Sequence, residues 1–175
     1  MALLKIVQFP APVLRKKTKL VTDFSDPKLE TLISDMAETM YDAPGVGLAA
    51  NQIGLSLRLA VIDVDWKEEG GHKNLRVFIN PILVEKKDLI PFEEGCLSLP
   101  GLTGQTKRFN KVTVEYQDLK GAKKTLQAED LLAVALQHET DHLDGKLYID
   151  RLSSLKKELL IKKFKKLQEE RKASE

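Results

Sequence analysis

The sequence predicts an α+β protein with mostly antiparallel β-sheets around a buried metal-binding helix, and an amphipathic helix at the C-terminus. Strand-like segments rich in β-branched residues lie in the middle of the chain, apart from segments with helical periodicity. Two histidines spaced four residues apart lie on one of the helical segments. The length of 175 residues suits one domain with its own apolar core.

The first predicted helix covers residues 26–43. Asp26 can cap it, Pro27 suits the first helical position, and Pro44 with Gly45 ends it. Apolar side chains recur along one face of this helix, at Leu29, Leu32, Ile33, Met36 and Met40. We expect that face to pack on the core.

Four strands are predicted between this helix and the next. Residues 57–64 and 76–84 are rich in β-branched side chains and are separated by a polar loop. Residues 111–127 predict two further strands around a turn at Lys120 and Gly121. Consecutive strands joined by short polar loops favour antiparallel pairing.

A second helix is predicted from about Glu129 to Asp144. Its first turn is acidic, and Gly145 suits the position after the helix end. The run LLAVAL is apolar on every side, so the helix should be buried. A last helix, roughly Ser154 to Lys172, has an apolar stripe of Leu152, Leu155, Leu159, Leu160, Phe164 and Leu167.

Composition predicts a soluble, cytoplasmic protein. The single cysteine excludes an intramolecular disulfide and fits a reducing compartment. The first ten residues lack signal-peptide features, and no apolar run approaches the length that spans a membrane. Aromatic residues make up only 6% of the chain, so base stacking and DNA binding are not indicated.

The strongest functional signal is the sequence HETDH at residues 138–142. On a helix, His138 and His142 share one face and can occupy adjacent positions around a metal ion. Glu139, beside the first histidine, can reach a metal-bound water and act as general base. A chance pair of hydrogen-bonded helix histidines is the alternative, but two imidazoles in a buried helix each need a specific partner.

A catalytic metal site commonly has three protein ligands and one open position, so a third ligand is needed. His72 is a poor candidate because it lies in a polar, glycine-rich loop. Cys96 is the better one, since a thiolate is a strong ligand and Gly95 permits close approach of the backbone. Alone, a single cysteine more often fills a core position.

The predicted helix also presents an apolar wall to the metal. At 100° per residue, Leu131, Val134 and Ala135 share the face of the two histidines. An unbranched apolar side chain of a substrate would fit there, and simple core packing of these three residues explains them equally well.

The glycine-rich segment 45–50 formally matches the dinucleotide-binding pattern GxGxxA, but that pattern needs a strand before it and a helix after it. Here a helix precedes and a strand follows. Gly45 and Gly47 more plausibly let an extended peptide approach the backbone. Gln52, just beyond, has an amide donor suited to an oxyanion, or is a surface side chain.

Three motifs together resemble peptide deformylases: GVGLAANQ at residues 45–52, EGCLS at 94–98 and QHETDH at 137–142. The resemblance also takes in FPAPVLR and INP, and it covers roughly residues 1–150. It implies a catalytic deformylase domain over 1–150, with 151–175 as a basic helix packed on the same domain. It also implies removal of the formyl group from N-formylmethionyl nascent peptides, with release of formate.

The resemblance further implies site roles. One Fe(2+) ion per chain, with Zn, Ni or Co as substitutes, would be held by the residues matching Cys96, His138 and His142. Glu139 would shuttle the proton, and the Gln52 amide with the Leu97 backbone N–H would stabilise the oxyanion. Substrate main chain would pair with Gly45–Gly47. The methionine pocket would be lined by Val46, Phe92, Leu131, Val134, Ala135 and His138.

The C-terminal segment is basic: from Lys146 to Glu175, Lys and Arg outnumber Asp and Glu two to one. A solvated helix docked on the body explains this charge, and contact with ribosomal RNA is the functional alternative. Arg108 is expected to be a solvated surface arginine, with a basic contact to the substrate as the alternative.

Two other functions remain open at this point. A metallopeptidase of the HExxH kind would usually have a third His or Glu ligand, and no third His follows at suitable spacing. An RNA-binding protein with a structural metal would normally have four protein ligands around that metal.

Overall fold

The computed structural model describes the whole chain, Met1–Glu175. Its helices are α1 (Pro27–Asp42), α2 (Asp130–Leu143) and α3 (Ser154–Ala173). Its strands are β1 (Gly47–Ala49), β2 (Leu59–Ile62), β3 (Arg76–Gly95), β4 (Thr103–Gln117) and β5 (Lys123–Glu129). The strands form one sheet in the order β1-β2-β3-β4-β5, and every neighbouring pair is antiparallel. The predicted α+β class is confirmed.

Helix α1 begins where the sequence predicts. The Asp26 carboxylate accepts the Lys28 N–H at 2.9 Å, and Pro27 takes the first helical position. The predicted apolar face is buried except at Leu32, which is half-buried. This face packs on β1 and β2, so α1 holds the short strand β1 in place beside β2.

The β3–β4 hairpin is much longer than the sequence indicates. The first of these strands was predicted to end at residue 84 and the second to begin at 111. In the structure, pairing extends to Gly95 at the end of β3 and to Thr103 at the start of β4. The side chains over 84–89 are all exposed and mostly charged. Beyond them the buried positions are polar, at Glu94, Thr106 and Arg108, so no apolar alternation marks the extension. Strand β1 was also missed, because three residues are too few for a periodic signal.

Helix α2 is buried against one face of the sheet, as predicted. Ala133, Ala135 and Leu136 pack with Phe78 and Val114 in one apolar cluster. Gly145 follows the helix end with φ of 76°, the left-handed conformation expected of that position. The predicted turn at Lys120 and Gly121 is also present, with Gly121 at φ of 80°. None of the helices has the apolar length that crossing a bilayer requires.

Helix α3 packs on the body through Phe164, which lies edge-on to Phe9 with ring centroids 6.1 Å apart. Part of the predicted stripe is wrong. Leu155 and Leu159 are 67% and 56% exposed, and Ile161 contributes to the contact instead. The real contact face follows Leu160, Phe164 and Leu167, and the two exposed leucines lie to its side.

Candidate metal centre and cleft

Helix α2 and the end of β3 bring three candidate ligands together. One helical turn separates His138 from His142, and their Nε2 atoms are 3.1 Å apart. Cys96 directly follows β3, and its Sγ lies 3.3 Å from the His142 Nε2. The potential ligand atoms of the three residues all lie within 4.8 Å of one another. His72 is exposed on its loop and is not part of this cluster.

The donor set fits a divalent transition metal. Metal–nitrogen and metal–sulfur bonds of about 2.0–2.3 Å place neighbouring tetrahedral ligands roughly 3.3–3.6 Å apart. The separations of His142 from His138 and from Cys96, 3.1 Å and 3.3 Å, are close to this range. The thiol is free, and two imidazoles with one thiolate suit iron or zinc by ligand type. Three protein ligands would leave a fourth coordination position for water or substrate, as in catalytic sites.

Glu94 orients the first histidine. Its Oε1 lies 2.9 Å from the His138 Nδ1, so the Nε2 of the same ring is directed toward the cluster. Glu94 is two residues before Cys96 near the end of β3, a spacing that puts both side chains on one side of an extended chain. Thr106 also donates to the Glu94 carboxylate.

Arg108 is a buried structural residue, so the prediction of a solvated surface arginine is wrong. It is 1% exposed, and its guanidinium donates to Glu94 at 2.6 and 2.8 Å and to Asp141 at 2.7 Å. Burial alone would raise the pKa of Glu94. The hydrogen bonds from Arg108 and His138 outweigh burial and hold that pKa well below its usual range.

Glu139 lies against the backbone of Gly47. A Cβ atom on Gly47 would stand 2.4 Å from the Glu139 Oε1, so only glycine leaves room for this carboxylate. The Oε2 atom is buried and has no hydrogen-bond partner in the protein. Burial raises the pKa of Glu139 to about 7, against the opposing charges of His138 and Arg108. Such a carboxyl group can exchange a proton near neutral pH.

Two hydrogen-bond donors flank the cysteine. Gln52 is buried, which removes the alternative of a surface side chain. Its Oε1 accepts the Ala49 N–H at 3.0 Å, which turns its Nε2 toward the Cys96 sulfur at 3.6 Å and the Ser98 hydroxyl at 3.1 Å. The Leu97 N–H donates to no backbone carbonyl.

These groups line a cleft of about 690 Å³. Its apolar wall is formed by Val46, Phe92, Leu131, Val134 and Ala135, the residues that the sequence and the resemblance assigned to a substrate pocket. Gly45, Gly47, Gln52, Cys96, Leu97, His138 and Glu139 also line it. His142 lies below the surface of the cleft, 1% exposed.

Strand β1 forms the edge of the sheet next to the cleft and pairs only with β2. Before it, the Gly45 carbonyl accepts the Trp66 indole N–H at 3.1 Å, and the Val46 carbonyl accepts the Asp63 N–H at 2.9 Å. The Val46 N–H donates to no backbone carbonyl. The edge therefore has free backbone groups with which an extended peptide can pair.

Sequence reasoning missed the buried Glu94–Arg108–Asp141 network. Arg151 completes it, with two 2.6 Å hydrogen bonds to Asp141. The position of Glu94 two residues before Cys96 was a usable signal. The local sequence did not indicate that Arg108 would be buried. Its position beneath Cys96, His138 and His142 is set by the register of β3 with β4.

Comparison with known proteins agrees with this geometry. The family model described as polypeptide deformylase matches residues 3–158. A peptide deformylase of Desulfotalea psychrophila is 52% identical over 166 residues, covering 95% of this chain and 97% of that protein. One of Helicobacter pylori is 45% identical, with 98% and 99% covered.

Solved structures give the same result. A crystal structure of a peptide deformylase from Legionella pneumophila matches with a TM-score of 0.88 at 47% identity, covering 97% of this chain and 98% of that one. The enzyme of Ehrlichia chaffeensis in complex with actinonin matches with a TM-score of 0.87 at 36% identity, covering 95% and 98%. The chain therefore belongs to the polypeptide deformylase family.

Proposed function

We propose that this chain removes the formyl group from the N-terminal formyl-methionine of newly synthesised proteins and releases formate. One observation carries the proposal: an unpartnered, buried Glu139 carboxylate lies beside a Cys–His–His cluster at the bottom of an apolar cleft. A hydrolase that cleaves a formamide needs a base, an electrophilic centre and a pocket for the methionine side chain, and these residues can supply all three.

Cys96, His138 and His142 would hold the metal. When bound, a divalent ion polarises a carbonyl oxygen and lowers the pKa of water toward neutrality. We infer Fe(2+) from the family resemblance, with Zn, Ni or Co as substitutes, because the ligand types suit several of these ions. Glu94 positions His138 for this role through the 2.9 Å contact with Nδ1.

Glu139 would act as general base and then as general acid. Its carboxylate takes a proton from the attacking water as the oxygen adds to the formyl carbon. It gives that proton to the amine nitrogen as the carbon–nitrogen bond breaks, so formate and a free N-terminus leave. Its raised pKa, about 7, suits both directions of transfer near neutral pH.

Two donors would stabilise the negative charge that develops on the formyl oxygen. The Gln52 amide is held by the Ala49 N–H, so its orientation is fixed before substrate arrives. The Leu97 N–H donates to no backbone carbonyl, so it is available for the same oxygen. Donors fixed in advance need no reorganisation during the reaction.

The substrate would bind as an added strand. Its backbone pairs with Gly45–Gly47 at the free edge of β1, and its methionine side chain enters the wall formed by Val46, Phe92, Leu131, Val134 and Ala135. An unbranched, polarisable side chain suits such an irregular apolar pocket.

A formate-release assay tests the proposed function. Protein purified without air and loaded with Fe(2+) or Ni(2+) is incubated with a formyl-Met tripeptide, with the unformylated peptide as control. We expect formate only from the formylated peptide, and we expect a chelator to abolish it. Cleavage of internal peptide bonds without formate would support a metallopeptidase instead, and no reaction with metal in place would refute the assigned substrate.

Replacing Cys96 by alanine should abolish tight metal binding. Two histidines remain, but the site loses its charged donor, and such ligand losses weaken affinity strongly. We expect less than about a tenth of the wild-type metal content after gel filtration against a weak chelator. Cys96→Ser serves as the isosteric variant and should behave similarly. Retention of a full, tightly bound complement by either variant would mean that another residue is the third ligand.

Replacing Gly47 by alanine should reduce turnover more than stability. The added methyl group overlaps the Glu139 carboxylate and must displace it, and a shift of about 1 Å can cost roughly 10²-fold in rate. We therefore expect kcat to fall by about that factor with metal content unchanged. In a Glu139→Ala background, where the space is vacated, Gly47→Ala should have little further effect. Equal losses in both backgrounds would show that the contact with Glu139 is not responsible.

We also propose that the protein acts in the cytoplasm on nascent chains, and that the basic face of α3 contacts the ribosome. The Lys side chains at 162, 163, 165 and 166 are exposed, while Phe164 between them is buried. Charge reversal of two of these lysines should reduce cosedimentation with ribosomes at low salt. Unchanged cosedimentation would leave α3 as a solvated helix docked on the body.

A further inference from the structure

Helix α3 contributes one residue to the active-site cleft. Arg171, in its last turn, lines the cleft together with Pro100, Gly101 and Leu102. Leu167, one turn earlier, packs on the same glycine. The end of α3 is thus held over the loop that follows Cys96, outside the apolar wall where the methionine would bind.

The end of α3 lies directly over Gly101. A Cβ atom built on this glycine would stand 3.4 Å from the Arg171 Nη2 and 3.6 Å from the Leu167 Cδ1, which is ordinary van der Waals contact. The glycine itself is required by its φ of 83°, a conformation that strains other residues. The guanidinium therefore lies next to the turn of the loop that Gly101 forms.

Arg171 differs from the other five arginines of the chain in its pairing. In each of the others, a guanidinium nitrogen lies within 3.2 Å of a carboxylate oxygen; these are Arg15, Arg58, Arg76, Arg108 and Arg151. No carboxylate of the protein lies within 4.0 Å of Arg171. A cation in the last turn suits the helix dipole, but Lys172 supplies the same charge away from the cleft.

Two other charged groups lie at the outer part of the cleft. The Lys67 ammonium donates to the Pro44 carbonyl. The Glu93 carboxylate accepts the Thr103 hydroxyl at 2.9 Å. Each of these two groups makes a hydrogen bond within the protein, whereas the Arg171 guanidinium makes none, so all of its donors are available at this edge.

We propose that Arg171 is a specificity-determining residue that binds a carboxylate of the substrate downstream of its formyl-methionine, an assignment that rests on the proposed function. A guanidinium donates two parallel hydrogen bonds to a carboxylate, a geometry that lysine or a neutral side chain does not reproduce. The carboxylate comes from an acidic side chain of the nascent chain or from the C-terminus of a short peptide.

The test compares peptide pairs within each enzyme. Formyl-Met peptide amides carry Glu or Gln at the second, third or fourth residue, and kcat/KM is measured at low ionic strength with the iron- or nickel-loaded protein. The wild type should prefer Glu over Gln at one of these positions by about 5-fold, the size of a partly solvated ion pair. Added salt should reduce this ratio. Gln peptides with a free C-terminus, compared with the same peptides as amides, test whether Arg171 binds the C-terminal carboxylate instead.

Variants at Arg171 and Lys172 test whether Arg171 causes this preference. Arg171→Gln should bring the Glu-to-Gln ratio to about 1, and Arg171→Lys should retain part of it. Lys172→Gln is the matched control, with the same loss of charge one residue away, and should leave both the ratio and the activity unchanged. The assignment is overturned if wild type prefers neither Glu over Gln at any position nor a free C-terminus over the amide, or if Arg171→Gln keeps the preference that wild type shows. Absence of formate from every peptide would instead refute the proposed function itself.

Discussion

Glu139→Gln is expected to lower kcat by about 10²–10⁴-fold while the metal content stays that of the wild type. Glutamine keeps the shape of the side chain next to Gly47, so the cleft is not rearranged. It cannot accept a proton, so water is no longer activated and the leaving amine is not protonated. The acidic limb of the pH dependence of kcat/KM, which reports ionisation of the base, should flatten as well.

The measurement needs both activity and metal analysis on the same sample. Glu129→Gln is a suitable control, because this residue is exposed immediately before the same helix, α2. Wild-type turnover in Glu139→Gln with metal bound would remove Glu139 from the mechanism. Loss of metal in that variant would assign it a role as ligand instead.

The same substitution should not destabilise the metal-free protein. Burial raises the pKa of Glu139 above its unfolded value, so ionisation is disfavoured in the folded state. The stability that this group contributes is complete below the unfolded pKa and is lost as the pH rises toward about 7. Glutamine removes that loss at neutral pH. The carboxylate is therefore retained at a cost in stability, as expected for a functional group.

The second large effect is on folding stability. Arg108→Met is expected to lower the free energy of unfolding by about 3–5 kcal/mol, because it leaves two buried carboxylates without their shared cation. Glu94 and Asp141 keep only Thr106, His138 and Arg151 as partners. Denaturant unfolding at pH 7 measures the loss.

A more exposed ion pair provides the control. Arg76 pairs with Asp65 at 3.2 Å with both side chains about 30% exposed, so Arg76→Met should cost less than about 1 kcal/mol. If both variants lost the same amount, the buried network would contribute nothing beyond an ordinary surface pair.

The pH dependence gives a second readout of the same network. The depressed pKa of Glu94 means that its stabilisation is complete above the unfolded value of about 4.3 and is lost as the pH falls toward the folded value. Without Arg108 the folded pKa should rise, so acid unfolding of Arg108→Met should begin at higher pH than that of the wild type.

The sequence predicts this protein well where a function constrains short segments. The spacing of His138 and His142 on a periodic segment placed both rings on one helix face, and in the structure their Nε2 atoms are 3.1 Å apart. The third member, Cys96, followed from counting ligands and not from any local pattern. Its position next to the histidines depends on a contact 46 residues apart in sequence, which no periodicity encodes.

The failures have a common physical cause. The extension of β3 and β4 exposes charged side chains and buries polar ones at Glu94, Thr106 and Arg108, so it lacks the apolar alternation by which strands are recognised. Arg108 resembles any surface arginine in sequence, and its burial is decided by strand register and by two distant carboxylates. On α3, leucines at helical spacing exceed what one contact can bury, so Leu155 and Leu159 remain exposed.

The chain has a single tryptophan, and its position next to the substrate edge has a spectroscopic consequence. The Trp66 indole packs edge-on to Tyr41 at 5.2 Å and donates to Gly45, a residue with which a bound peptide would pair. Its emission wavelength and intensity depend on that hydrogen bond and on local hydration. The intrinsic fluorescence of this protein is therefore an internal, label-free reporter of peptide binding, and it can be read in the inactive Glu139→Gln variant, where binding is separated from turnover.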